Sequence, residues 1–185
     1  GRRFIALFPQ AEQAARRAAW LIIAHSSLEI ANYPEAEDGY LQVLPLTAQN
    51  DKTRADLVEN LAASIYKQGE LANKQSDFKT AAEHFLRVAK AAPTSTIKPT
   101  ADYDGATALI ELKDWDRAAE VLNNFRADYR GHKLQPDVTK KLAHVYREGG
   151  KLALAGAEYE RIETETKDPD LRSAALQVAG ELYTE

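Results

Sequence analysis

Four segments of the chain share one pattern, in which a small residue stands between large apolar residues at fixed spacing. This pattern constrains the fold more than any other feature of the sequence. In each segment a large apolar residue is followed by a small residue three positions on. A large apolar residue comes four further, and another three beyond that. The segments begin at Tyr33, Phe78, Trp115 and Leu152, and their small residues are Ala36, Ala81, Ala118 and Ala155. Because these offsets fall on one stripe of an α-helix, each segment is predicted to be a helix whose alanine marks the closest approach of a neighbouring helix.

Helix pairs are predicted because a second amphipathic segment lies upstream of each stripe. It is clearest at Trp20–Ser27 and Leu142–Tyr146, which show the large and small spacing of a helical packing face. Asn32, Asp77 and Asp114 stand just before a stripe, where a short oxygen-bearing side chain can accept a hydrogen bond from a free helical N–H group. The chain is therefore predicted to form helix–turn–helix units.

Glycine and proline residues lie where the predicted helix pairs require a helix to end. Gly149 and Gly150 are predicted to end the helix that precedes the last stripe. The longest junction is predicted at residues 44–54, where Pro45 should bend or end the preceding helix. The alanines of the four stripes follow one another at intervals of 45, 37 and 37 residues, and the junction accounts for part of the longest interval.

The composition favours an all-α chain and reduces the classes of partner that are expected. Glycine (9) and proline (7) are sparse among the 185 residues. The 24 basic and 28 acidic side chains give a formal net charge of −4, and the basic ones are dispersed, so nucleic acid is not an expected partner. No apolar run approaches the ~20 residues needed to span a bilayer, so membrane insertion of this segment is not expected.

These features resemble the tetratricopeptide repeat, in which W-x2-L-G-x2-Y in a first helix precedes A-x3-F and P in a second, with a nominal period of 34 residues. The positions that match are Trp20, Ile23, Ala24, Ser27, Ala36 and Tyr40 in the first unit, Phe78, Ala81, Phe85 and Pro93 in the second, and Leu142, Ala143, Tyr146, Ala155 and Tyr159 in the fourth. The poorest match is the first helix of the third unit, expected at residues 101–112. The resemblance implies an all-α fold, a right-handed α–α superhelix of antiparallel helix pairs.

The resemblance also implies one repeat array over residues 1–185, expected to be an excerpt of a longer repeat protein. The predicted parts are the end of a preceding repeat (1–9), repeat 1 (10–48), repeat 2 (49–94), repeat 3 (95–131), repeat 4 (132–168) and the first helix of repeat 5 (169–185).

The first helices of such a superhelix line its concave face, which is where a peptide or a segment of a partner protein would bind. Counting from the matched positions gives twelve candidate partner-binding residues: Leu21, His25, Leu28, Tyr66, Glu70, Asn73, Tyr103, Thr107, Ile110, Lys140, His144 and Arg147. Tyr66 and Tyr103 could equally pack between helix pairs. Leu21 and His25 stand where a carboxylate clamp of the chaperone-binding subclass would begin, so that ligand is not expected.

No catalytic, cofactor or metal site is predicted, and the chain is not expected to be an enzyme. Glycine-rich phosphate loops, nucleophile elbows and the H-E-x-x-H motif are missing from the sequence. The four histidines lack the spacing of metal ligands, and cysteine is absent, which excludes disulfides and thiolate sites.

The favoured function is a scaffold for protein–protein interaction. The repeat spacing and alanine-rich helices are similar in style to bacterial cell-envelope repeat proteins, which implies a periplasmic or envelope location, with the cytoplasm as the alternative. A second functional hypothesis is a spacer or substrate-recruiting accessory domain of a larger enzyme or of a polysaccharide or protein secretion machine. The identity of the partner and the oligomeric state are left open.

Overall fold

The computed structural model describes residues 1–184, and within them the chain is built from α-helices with no β-strand. The ten helices are α1 (Arg2–Leu7), α2 (Gln13–Glu29), α3 (Tyr33–Val43), α4 (Arg54–Lys74), α5 (Phe78–Ala91), α6 (Lys98–Glu111), α7 (Trp115–Asp128), α8 (Gln135–Glu148), α9 (Leu152–Glu165) and α10 (Pro169–Leu182). The predicted all-α class of a helical repeat protein is confirmed. We call α2, α4, α6, α8 and α10 the first helices, and α3, α5, α7 and α9 the second helices.

The helices divide into two compact units, residues 1–101 and the residues from Asp102 onward. In the first unit α2 packs on α3, α3 on α4 and α4 on α5. In the second unit α7 packs on α8, α8 on α9 and α9 on α10. In these parts of each unit, helices that follow one another in sequence are therefore neighbours in space, as expected for stacked helical hairpins.

The predicted stripes of the second helices form the packing surfaces. The four alanines of the stripes are completely buried: Ala36, Ala81, Ala118 and Ala155. Each stripe buries a large residue as well, with Tyr40 at 0%, Phe85 at 3%, Phe125 at 1% and Ile162 at 7% exposure. The helical register predicted from the spacing is thus confirmed in all four second helices.

Each first helix that precedes a second helix ends in the same three-residue turn. Its middle residue adopts the left-handed conformation, with φ of 60° at Ala31, 58° at Ser76, 58° at Lys113 and 72° at Gly150. The amide of the next residue donates to a carbonyl five positions back: Asn32 to Ser27 (2.8 Å), Asp77 to Ala72 (3.0 Å), Asp114 to Leu109 (2.9 Å) and Lys151 to Tyr146 (2.8 Å). This is the Schellman arrangement, which satisfies carbonyls at the end of a helix.

The turn's last residue is also the N-cap of the second helix, and the predicted caps have mixed outcomes there. Asp77 accepts from the backbone N–H of Thr80 (3.2 Å), and Asp114 accepts from that of Arg117 (3.4 Å), so both caps are confirmed.

The predicted cap at Asn32 is wrong. Its side-chain amide donates to the carboxylate of Glu35 (2.7 Å) and caps no backbone N–H. Pro34, the next residue but one, has no N–H to offer, so the first turn of α3 presents one fewer group for Asn32 to satisfy.

The long junction between α3 and α4 follows the prediction for Pro45. Helix α3 ends at Val43, and a single turn of 3-10 helix, Leu44–Leu46, carries the proline. Arg54, the first residue of α4, donates from its guanidinium to the carbonyls of Leu44 (2.9 Å) and Thr47 (2.8 Å) and so fixes the loop. The longest interval between stripes has a second cause, because α4 has 21 residues where α6 and α8 have 14 each.

Buried carboxylates join neighbouring second helices within each unit. In the first unit Glu37 of α3 is paired with Arg87 of α5 at 2.9 Å. In the second unit Arg126 of α7 donates twice to Glu158 of α9, at 2.8 and 2.6 Å. Both carboxylates are more than nine-tenths buried, so removing either arginine would leave a polar group buried without its main partner.

Candidate functional site

The twelve predicted binding residues hold equivalent places on the first helices. In α2, α4, α6 and α8 they lie ten, six and three positions before the left-handed residue of the turn, as Lys140, His144 and Arg147 do before Gly150. Offsets of four and three place the three side chains on one face of each helix. We call these twelve residues the first-helix face.

Another position of each first helix carries a small buried residue. It lies seven positions before the left-handed residue and is occupied by Ala24, Gly69, Ala106 and Ala143. At Gly69 a β-carbon would come within 2.7 Å of the Phe85 ring of α5, so the second helix requires the small residue there. Sequence reasoning missed Gly69 and Ala106. Counting back from the polar residue of each turn would have found them.

All twelve residues of the first-helix face retain access to solvent. Five are exposed: His25, Asn73, Lys140, His144 and Arg147. Seven are half-buried: Leu21, Leu28, Tyr66, Glu70, Tyr103, Thr107 and Ile110. A partner could therefore reach each helix of the face, although the half-buried members also contribute to packing.

The structure brings part of the face in the first unit into a groove between α2 and α4. The cavity has a volume of about 490 Å³. Its lining consists of Arg17, Leu21, His25, Thr53, Asp56, Leu57, Glu59 and Asn60. The ring of His25 is held by Tyr40, because its Nδ1 atom is hydrogen-bonded to the hydroxyl of Tyr40 at 2.8 Å. Burial, followed by the nearby charge of Glu29, raises the pKa of Tyr40 to about 12, so the phenol stays protonated.

Two charged side chains that line this groove, Arg17 and Glu59, already form hydrogen bonds within the protein. Arg17 donates to the hydroxyls of Thr47 (2.9 Å) and Thr53 (3.0 Å). Glu59 accepts from the hydroxyl of Ser95 and the backbone N–H of Thr96, both at 2.7 Å. Burial alone would raise the pKa of Glu59, but these hydrogen bonds outweigh it and the net shift is downward. Glu59 therefore stays ionised and fixes the loop that precedes α6.

The remaining predicted residues of the first unit lie further along α4. Tyr66 packs its ring against Phe85, with 5.1 Å between centroids, and serves mainly as a packing residue. Glu70 pairs with Lys67 of the same helix at 2.6 Å. Asn73 is exposed near the end of α4.

In the second unit Tyr103 links α6 to α8. Its hydroxyl donates to the carboxylate of Asp137, and the ammonium of Lys141 lies 5.0 Å from the centre of its ring. Burial, together with the bond to Asp137, raises the pKa of Tyr103. Thr107 donates back to the carbonyl of Tyr103 at 3.0 Å. Replacing Tyr103 would thus disturb packing as well as the first-helix face.

One exposed residue of α8 lies beside two adjoining cavities in the second unit. Lys140 lines both cavities, which have volumes of about 190 and 360 Å³. Their shared lining is Lys140, Ile162 and Leu171, with Pro136, Glu165, Thr166 and Lys167 around the smaller one and Tyr159, Ala174, Ala175 and Val178 around the larger one. We call the two together the α8–α10 groove. Of the first-helix face, only Lys140 lines these cavities, and the ring of His144 instead contacts Trp115 of α7 at 5.8 Å between centroids.

Comparison with known families explains the hairpin architecture. The family model described as the tetratricopeptide repeat matches residues 63–95 and 100–132. Both matched segments are tetratricopeptide repeats. The first match covers the second half of α4 with α5, and the second covers most of α6 with α7. No curated protein matches the sequence.

The tetratricopeptide repeats indicate a protein–protein interaction scaffold, and the family is typically non-catalytic. Within residues 1–184 no three histidine or carboxylate side chains are grouped so that they could hold a metal ion. The same part of the chain contains no helix of the length and apolar character required to cross a bilayer.

Proposed function

We propose that this chain binds a peptide or an exposed segment of a partner protein on the first-helix face, which would be the concave face of its superhelix. The observation that carries the proposal is the repetition of the face: four first helices present three accessible side chains each, at the same distance from the same turn. A surface that is reached by solvent and repeated from helix to helix can follow an extended polypeptide.

The grooves beside the face support the same proposal. In the first unit Leu21 and His25 border an open gap between α2 and α4. In the second unit Lys140 borders the gap between α8 and α10. Each gap separates successive first helices and offers apolar surface next to polar groups, which is the mixture that peptide-binding sites use.

A bacterial envelope complex is part of the proposal and rests on the resemblance in repeat style. Its test is affinity capture from an envelope extract, with a cytosolic extract of the same cells processed in parallel. Capture of a specific protein from the envelope fraction alone would support the location. Capture from the cytosolic fraction alone would contradict it.

The bait that tests the face carries Asn73→Ala, Lys140→Ala and Arg147→Ala. These three side chains are exposed and make no hydrogen bond or ion pair within residues 1–184, so their loss should leave the fold intact. A matched control bait carries Glu83→Ala, Lys90→Ala and Glu120→Ala on the second helices, which are also exposed. The proposal expects a partner that is captured by the wild-type and control baits and lost with the face variant. Equal capture by all three baits would overturn the placement on the first-helix face and favour the spacer hypothesis.

A further inference from the structure

The α8–α10 groove of the second unit combines an apolar floor with unpaired positive charge. Ile162 is 7% exposed and packs with Ala143, Ala175 and Tyr159 beneath the groove, so the floor is rigid. Leu171 is 37% exposed and forms an open apolar wall. Together these residues offer space for one large aliphatic side chain.

Two ammonium groups stand at the rim of the groove. Lys140 and Lys167 both line the smaller cavity, and neither forms an ion pair or hydrogen bond within residues 1–184. Glu165 also lines that cavity and places one carboxylate near them. The rim therefore carries two positive charges against one negative charge, which favours an anionic ligand.

The positive charge continues along α8 away from the groove. Arg147 lies seven residues after Lys140 and, like it, is exposed and unpaired within the described chain. Seven residues of α-helix rise about 10.5 Å. Three residues of polyproline II chain rise about 9.3 Å and return to the same side of that chain. Acidic side chains spaced three residues apart in an extended peptide therefore match the spacing of Lys140 and Arg147.

From this arrangement we infer that the α8–α10 groove binds a peptide in which a large aliphatic residue adjoins the first of two acidic residues spaced three apart. The aliphatic side chain lies between Ile162 and Leu171. The first carboxylate pairs with Lys140 and Lys167, and the second pairs with Arg147. This inference rests on the proposed function, because it names the chemistry of a partner for one part of the first-helix face.

The test uses the whole chain and a fluorescein-labelled peptide in which leucine adjoins the first of two aspartates spaced three residues apart. Binding is measured by fluorescence anisotropy at low salt and at 0.5 M NaCl. One control peptide has asparagine for both aspartates, and another has alanine for the leucine. The inference expects saturable binding of the first peptide that weakens at high salt, and about tenfold weaker binding of either control.

Protein variants distinguish binding in the groove from a general attraction between opposite charges. Lys140→Glu should weaken binding about tenfold, whereas Lys90→Glu on the exposed side of α5 should leave it unchanged. Ala174→Trp fills the larger cavity from an exposed position and should abolish the preference for leucine over alanine. Glu165→Gln removes the rim carboxylate and should strengthen binding two- to threefold, roughly the effect of one exposed charge. Circular dichroism of each variant shows that the helices are retained.

Absence of saturable binding by the wild-type chain would overturn the inference. So would equal binding by Lys140→Glu, or weaker binding by Glu165→Gln. A different result would contradict the proposed function, namely that the wild-type bait captures no partner. A captured partner whose binding survives Lys140→Glu but is lost with Asn73→Ala would retain the proposed function and exclude the α8–α10 groove as its site.

Discussion

His84 on α5 is a single residue whose ionisation is coupled to the packing of the first unit. Its Nδ1 atom accepts a hydrogen bond from the guanidinium of Arg87 at 2.9 Å. Arg87 is in turn paired with the buried carboxylate of Glu37. Burial lowers the pKa of His84 below its usual value of 6.5, and the positive charge of Arg87 lowers it further, although Glu37 opposes the shift.

The lowered pKa predicts an acid-sensitive stability. In the unfolded chain His84 takes up its proton near pH 6.5, whereas in the folded chain it does so only at lower pH. Its contribution to the free energy of unfolding is therefore complete above about pH 6.5 and is lost as the pH falls toward the folded-state pKa. We expect the melting temperature to fall more between pH 7.5 and pH 5.5 in the wild-type chain than in a His84→Gln variant. Equal falls in the two proteins would exclude His84 as the cause.

Gly39 and Gly180 form a matched pair for testing close packing. A β-carbon at Gly39 would come within 3.0 Å of the backbone nitrogen of Ala24 on α2, and the backbone cannot yield. A β-carbon at Gly180 meets nothing within 4 Å. Gly39→Ala should therefore cost about 1–3 kcal/mol of unfolding free energy by overpacking, whereas Gly180→Ala should gain about 0.5 kcal/mol from helix propensity. Urea denaturation measures both, and similar effects of the two substitutions would contradict the packing described at Gly39.

At the scale of helices and turns, three of the four Schellman turns place a residue with a β-carbon in the left-handed conformation. Lys113 is one of them, and Gly150 is the equivalent residue of the last hairpin. The left-handed conformation costs about 1 kcal/mol for a residue other than glycine, part of which is offset because glycine loses more entropy on folding.

The turns therefore predict opposite effects for opposite substitutions. Lys113→Gly should stabilise the chain by about 0.5 kcal/mol, and Gly150→Ala should destabilise it by about 1 kcal/mol. Lys113 is exposed and a β-carbon at Gly150 meets nothing within 4 Å, so packing does not obscure the comparison. Chemical denaturation with a constant m-value would give the two free energies. A loss of stability in Lys113→Gly would show that its side chain contributes more than the strained backbone costs.

The helices themselves could be predicted from the sequence because a buried stripe leaves a periodic signal. Ala81 and Phe85 illustrate this, since both are buried at the predicted spacing. The contacts of the candidate site could not be predicted in the same way. The partner of Tyr103 lies 34 residues away at Asp137, among many acidic residues that the sequence alone does not rank. The failure of the cap at Asn32 is local instead: its amide donates to the carboxylate of Glu35, three residues on, and Pro34 leaves one fewer N–H group in the first turn of α3.

At the scale of the whole chain, burial is distributed unevenly along the sequence. Helix α1 has six residues and none of them is buried, whereas α4 buries seven. A helix this short has little stability of its own in water. We therefore expect the amide hydrogens of α1 to exchange within seconds and those of α4 to be protected for much longer. Hydrogen–deuterium exchange with mass spectrometry resolves the two segments, and comparable protection of α1 would indicate a covering contact.

The two kinds of connection in the chain differ in how much their lengths vary. The turn inside each hairpin is always three residues, and its last residue also precedes the first residue of the next helix. The connections between hairpins range from three residues before α10 to ten before α4. An insertion inside a hairpin would disrupt the end of one helix and the start of another. Changes in repeat length, whether made by evolution or by an engineer grafting a tag, are therefore best tolerated between hairpins, and the exposed segment 48–50 is the place to introduce one.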